Sequence, residues 1–146
     1  MIRSSTSAAT LLRRALLGNA VFSMASALLF LLATDSIARL AGAPAAEIQQ
    51  TGVSLVVFVG LVAIVASRPD LQRTGALRGA ILIAALDVLW VLTAPLKMLG
   101  YSPSGRLFFG VIAVIVLGFA VAQIVAIHKL MRTRRIQDPG APMPGY

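Results

Sequence analysis

The sequence contains no cysteine and only one histidine, His128. Without cysteine there are no disulfides, thiolate nucleophiles, cysteine-type zinc sites or iron–sulfur clusters. A single histidine cannot build a His-rich metal site or a two-histidine haem site within one chain, so no metal and no cofactor is expected. Charge is scarce too: Asp, Glu, Lys and Arg make up 12% of the 146 residues, against about 25% in a soluble domain. Apolar residues account for 58%, and the mean hydropathy is +0.89. A soluble globular enzyme is therefore not expected, and disorder over most of the chain is excluded by the same hydrophobicity.

The few charges present are mostly positive. Thirteen Lys and Arg stand against five Asp and Glu, for a formal charge of +8. The cations flank apolar runs and do not form a patch interleaved with aromatics. They therefore point to a membrane surface, with no nucleic acid as partner.

Between the charges lie four long apolar stretches. They run over Ala15 to Thr34, Ile48 to Ser67, Gly79 to Leu96 and Leu107 to Ile127, and together cover 79 of 146 residues. Each is close to the roughly 20 residues that a helix needs to cross a hydrocarbon core of about 30 Å. The runs do not alternate apolar with polar residues, and lipid offers no partner to an open backbone, so they are expected to close as helices. The expected fold is all-α: a polytopic membrane protein built as an antiparallel four-transmembrane-helix bundle, with helices over about 12–34, 45–67, 75–98 and 103–131. The expected organisation is a short N-terminal segment at 1–14, one membrane domain at 15–131, and a basic, then Pro/Gly-rich tail at 132–146.

Local signals agree with these bounds. Pro44 suits the first turn of the second helix, with Glu47 favourable beside its N-terminus. Ser102 followed by Pro103 reads as an N-cap and first-turn proline. Gly42 and Gly100 follow helical runs and suit C-terminal stops. Ser36 to Leu40 reads as a short interfacial turn, and Arg68-Pro69-Asp70 as a tight connection. Gly52, Gly60, Gly110 and Gly118 are expected to allow close helix approach, while Gly75 and Gly79 form a GxxxG at the membrane edge.

Counting Lys and Arg by side gives ten (Arg3, Arg13, Arg14, Arg68, Arg73, Arg78, Lys129, Arg132, Arg134, Arg135) against three (Arg39, Lys97, Arg106). The positive-inside rule then predicts both termini in the cytoplasm of a multi-pass protein of the cell inner membrane. A competing reading treats the first helix as a secretory signal cleaved near Ala43-Pro44-Ala45, although its apolar run is long for that. A parallel two-helix repeat, aligning Leu40–Pro44 with Leu99–Pro103, is a second option that rests on few residues.

One residue interrupts the apolar runs. Asp87 lies nine residues from Arg78 and ten from Lys97, which places it near the bilayer midplane. A carboxyl group at that depth costs about 2.5–3.5 kcal/mol on an insertion scale and is expected to face the bundle interior. Two readings of it are open. It locks helices together, or it binds a proton, a cation or a polar ligand group. Its candidate neighbours are Asn19, Ser23 and Ser26, which share one face of the first helix by i, i+4, i+7 spacing, and Gln123 in the fourth. Depth counting favours Ser23 and Ser26 as level with the acid and sets Gln123 somewhat nearer the cytoplasm. Trp90, one turn after Asp87, belongs either to the interface belt or to the wall of a pocket beside the acid.

No catalytic set accompanies the acid, so no enzyme is expected. His128 and Lys97 read as boundary residues. The chain lacks the first-helix glutamate of small multidrug transporters and the cysteines of vitamin K reductase-like enzymes. In type it resembles small bacterial inner-membrane proteins. The expected role is an accessory, scaffold or assembly subunit, as a homo-oligomer or within a larger membrane complex. The alternative is a small oligomeric proton- or cation-coupled transporter or channel that uses Asp87.

Overall fold

The computed structural model describes residues 2–71 and 73–137, with side chains placed for 7–71 and 73–133. It is all-helical, with no strand among the described residues. The helices are α1 (Ile2–Leu32), α2 (Thr34–Ala41), α3 (Ala45–Ala66), α4 (Thr74–Met98) and α5 (Pro103–Gln137). Four of them, all but α2, are long and apolar enough to cross a membrane. The protein is a small multi-pass membrane protein with an antiparallel four-helix body.

Three boundaries differ from those expected. α1 begins at Ile2 instead of near residue 12, so the segment before the first apolar run is already helical. The stretch read as a turn is α2, an eight-residue helix that buries Ile37, Ala38 and Ala41 and exposes Asp35, Ser36 and Arg39. α5 runs on to Gln137, and the Pro- and Gly-rich end of the expected tail lies outside the described residues.

The chain breaks between α1 and α2 at Ala33, whose backbone leaves the helical range (φ −119°, ψ 29°). There the Thr34 hydroxyl donates to the carbonyls of Phe30 at 2.6 Å and Leu31 at 3.2 Å. Gly42 ends α2 in the left-handed region (φ 66°), as the C-terminal stop required. Gly100 does not play that part, because α4 ends through right-handed Leu99. Pro44 stands just before α3 and not inside it. Pro95 interrupts the hydrogen-bond ladder of α4 without ending the helix, and Thr93 nearby donates back to Leu89 and Trp90 carbonyls.

α1 is the central helix and packs against α3 and α5, while α4 packs on α5. The consecutive pair α3 and α4 touch much less. Where they meet, Gly79 lies so near Val65 that a methyl group added there would stand 2.7 Å from it. Gly52 is likewise tight against Leu31 and Phe30. Gly60, Gly75, Gly110 and Gly118 are not: among the described residues an added methyl would meet nothing within 4 Å, so the expected close approach at Gly60, Gly110 and Gly118 is not made there.

The body has two apolar cores. At the terminal end, where α1 starts, α5 finishes and the α3–α4 loop turns, Leu12, Leu16, Val62, Leu71, Ile83, Ile127 and Leu130 pack with alanines. At the opposite, cap end, Phe30, Ile37, Ala41, Ile48, Tyr101 and Phe109 pack together.

Candidate intramembrane polar site

Between these two cores lies a polar layer. Among the described residues the buried polar side chains are Asn19, Ser23, Ser26, Asp87 and Gln123. Asn19 Nδ2 donates to Asp87 Oδ2 at 2.7 Å, and Gln123 Nε2 donates to the same oxygen at 3.0 Å. Ser23 Oγ donates to Asn19 Oδ1 at 3.2 Å, one turn along α1. The carboxyl group of α4 thus joins α1 and α5. It reaches across to α1, a helix that α4 hardly touches otherwise.

Burial is nearly complete. Asn19 and Gln123 expose nothing and Asp87 only 4% of its surface. In lipid a polar side chain without a partner is costly, so the two amides and the acid have strong reason to meet. One acceptor is nonetheless left over: Gln123 Oε1 is buried and has no hydrogen-bond partner among the described residues.

The expected group of six therefore divides. Asn19, Ser23, Asp87 and Gln123 form one network. Ser26 and Trp90 do not join it. Ser26 shares the face of Asn19 but lies seven residues further on, about 10 Å along the axis. It is buried, and its hydroxyl makes no hydrogen bond among the described residues. Trp90 is half-buried and is not bonded to Asp87. Three residues on from the acid, its side chain is turned about 60° around the helix.

The depth ranking also shifts. Counting from Arg14 sets Ser23 and Ser26 level with Asp87, yet Asn19 and Gln123 make the bonds. Arg13 shows why a flanking cation is a poor depth marker here. Its guanidinium turns back to donate to the carbonyls of Arg68 at 2.6 Å and Pro69 at 3.1 Å, just past the end of α3. α1 is thereby tied to the α3–α4 loop.

Sequence reading missed a second polar device, at the cap end. Tyr101 donates its phenol to Glu47 Oε1 at 2.7 Å, linking the α4–α5 turn to the start of α3. Burial first, and the carboxylate of Glu47 second, raise the Tyr101 phenol above its ordinary range. Beside it, Ser102 and Ser104 hydroxyls donate to the Leu40 carbonyl, and Ser102 N–H donates to the Ala41 carbonyl at 2.7 Å. The unpaired carbonyls at the end of α2 are satisfied by the start of α5, where helix dipoles of opposite sense also meet. Ser102 caps α5 as expected, accepting from Gly105 N–H at 3.1 Å.

Among the described residues no three His, Asp or Glu side chains cluster closely enough to hold a metal ion. No known protein family, curated protein or solved structure matches the chain. A functional reading must rest on this geometry.

Proposed function

We propose that this membrane protein is a non-enzymatic accessory, scaffold or assembly subunit. It would act through helix packing, with further copies of itself or inside a larger inner-membrane complex. One observation carries the reading. The only acid in the middle of the membrane directs its bonding to neighbouring helices, taking one amide from α1 and one from α5. A side chain used in this way acts as interhelix glue. The ten-to-three division of Lys and Arg supports a cytoplasmic location for the terminal end.

A second reading has its own observation. Gln123 Oε1, beside Asp87, is a buried acceptor that none of the described residues satisfies. A proton or small cation delivered to the acid would find oxygen there, which favours proton- or cation-coupled transport by an oligomer.

Two substitutions separate the readings. Asp87→Asn keeps an acceptor, and under the scaffold reading it leaves assembly and thermal stability near wild type. Asp87→Leu strands both amides and is expected to cost about 2 kcal/mol, given 0.6–1.7 kcal/mol per interhelix bond. Unfolding in mild detergent and native mass spectrometry of the gently extracted protein read these outcomes. A Leu variant as stable as wild type would remove the glue role. Proton or cation flux in proteoliposomes that disappears in a folded Asp87→Asn variant would replace the scaffold reading with transport.

A further inference from the structure

The polar layer is one donor short. It has four carboxyl and amide oxygens, two on Asp87 and one each on Asn19 and Gln123. Asp87 Oδ2 accepts twice, from Asn19 and from Gln123, and Asn19 Oδ1 accepts from Ser23. The other two, Asp87 Oδ1 and Gln123 Oε1, accept from none of the described residues. Buried acceptors in folded proteins find a donor, and in lipid there is no bulk water to supply one.

The bond from Gln123 indicates where the missing donor belongs. Gln123 Nε2 lies 3.0 Å from Asp87 Oδ2. Oε1 shares a carbon with Nε2, and Oδ1 shares a carbon with Oδ2. When the amide and carboxyl planes align, the two unsatisfied oxygens stand opposite each other. A hydrogen on Oδ1 then donates to Oε1 and closes a ring of two parallel bonds. A neutral carboxyl group has that hydrogen and an ionised one does not. Turning the amide over does not remove the need, because its oxygen would then lie against Oδ2 with no hydrogen between them.

Charge leads to the same occupant. Among the described residues no Lys, Arg or His and no second acid is buried. The nearest in sequence are Arg14 on α1, Glu47 and Arg68 flanking α3, Arg78 and Lys97 on α4, and His128 on α5, all toward the helix ends. A carboxylate in this layer would be an ion without a counter-charge in lipid, which is far costlier than a neutral acid. A metal ion would bring the charge but would lack ligands. Calcium and magnesium take about six or more oxygens. Here the amide nitrogens already face the carboxyl group, which leaves Asp87 Oδ1 and Gln123 Oε1 to offer. A proton needs only those two.

We infer that Asp87 and Gln123 form an acid–amide pair closed by one bound proton, held between Asp87 Oδ1 and Gln123 Oε1. The inference rests on the glue reading of Asp87 above and names what completes it. The proton is a fixed part of the joint between α4 and α5, while the Asn19 bond to Oδ2 ties in α1. Of the two ligands that the transport reading allows, the pair takes the proton and not the metal cation.

The test uses the full chain in proteoliposomes at neutral pH, read by infrared absorption. Wild type is expected to show the carbonyl band of a neutral, hydrogen-bonded carboxylic acid. That band should move on isotope labelling of aspartate and be lost in Asp87→Asn. Gln123→Met removes the amide that bonds both carboxyl oxygens and is expected to shift the band to higher frequency. Replacing sodium with choline in the buffer is expected to leave the melting temperature unchanged. The inference is overturned if wild type shows no such band, which would mean a carboxylate completed by water. It is also overturned if the band is the same in Gln123→Met, or if the melting temperature depends on sodium in wild type but not in Asp87→Asn. The wild-type spectrum decides the first point without any variant having to fold. Failure here is distinguishable from failure of the glue reading. That reading falls if Asp87→Leu is as stable as wild type, whatever the spectrum shows, and it stands if Asp87→Leu is destabilised while the wild-type acid proves ionised.

Discussion

The two ends of the bundle reach the same result by different means. The terminal end is aliphatic. Its core is leucine, isoleucine, valine and alanine from all four long helices, with Leu71 folded in from the loop. The cap end is aromatic. Phe108 and Phe109 meet edge to face at 5.3 Å, and Phe109 also packs on Tyr101 at 5.2 Å and Phe30 at 5.6 Å. There α4 adds little to the core, and the short α2 takes its place. Lipid tails are as apolar as leucine, so burying apolar surface does not by itself hold membrane helices together. What distinguishes each end is how its backbone carbonyls are satisfied. At the terminal end one cation, Arg13, reaches the carbonyls beyond α3. At the cap end, neutral hydroxyls and backbone of α5 close the end of α2. The first joint is made by one side chain, while the second adds serine hydroxyls to backbone laid against backbone.

That contrast predicts unequal damage, and the largest effect belongs to Gly105. A methyl group added there would stand 2.5 Å from Ala41 Cα and 2.9 Å from its carbonyl oxygen. Both are backbone and cannot turn aside. Gly105→Leu is expected to cost about 3 kcal/mol, the upper part of the range for overpacking, and to lift α2 off the bundle. The chain has no cysteine, so an Ile37→Cys probe in the buried face of α2 reports this by faster maleimide labelling. Gly110→Leu, with nothing within 4 Å, is the matched control and should change stability by less than about 0.5 kcal/mol. Equal labelling of the Ile37→Cys probe with and without Gly105→Leu would mean that the α2–α5 joint does not hold the cap end.

The terminal end should be more forgiving. Arg13→Met keeps the length and apolar stem of the side chain but removes its donations to Arg68 and Pro69. The expected loss is about 1.5 kcal/mol, at the lower end for bonds to a charged group. Because the joint is local, amide exchange should rise in the loop after α3 and stay unchanged around α2. A rise at both ends would show that the two joints are coupled through the polar layer.

How far such features can be read in advance depends on the range of the interaction. The four spans follow from run length against bilayer thickness, which needs no knowledge of packing. That Asp87 faces inward follows from the cost of the alternative. Asn19, Ser23 and Gln123 were legible as candidates because a polar side chain in lipid has few places to go. Ser26 and Trp90 stay outside the hydrogen-bond network, since helical phase and depth say which face a residue occupies and not whether its atoms reach. The helix α2 was missed although Ile37, Ala38 and Ala41 already fall on one face, because eight residues are too few to stand out beside apolar runs. The Tyr101–Glu47 bond joins residues 54 apart, each beside a turn whose position depends on the whole fold.

That bond gives the smallest expected effect and the most specific one. Tyr101→Phe removes one hydrogen bond and little else, and should cost about 1 kcal/mol at neutral pH. Its signature lies in the pH dependence. Burial and Glu47 both favour the protonated phenol in the folded protein, so the folded state keeps this proton after the unfolded state has lost it. Stability from this group is therefore complete below the ordinary phenol range, near 10, and declines as pH rises beyond it. Unfolding free energy measured from pH 8 to pH 11 should bend downward above about pH 10. The bend should be reduced in Tyr101→Phe, in which the other tyrosine and the lysines still titrate. Identical curves would mean that the phenol is free to ionise where it stands, and that the aromatic core alone holds the cap end against α3.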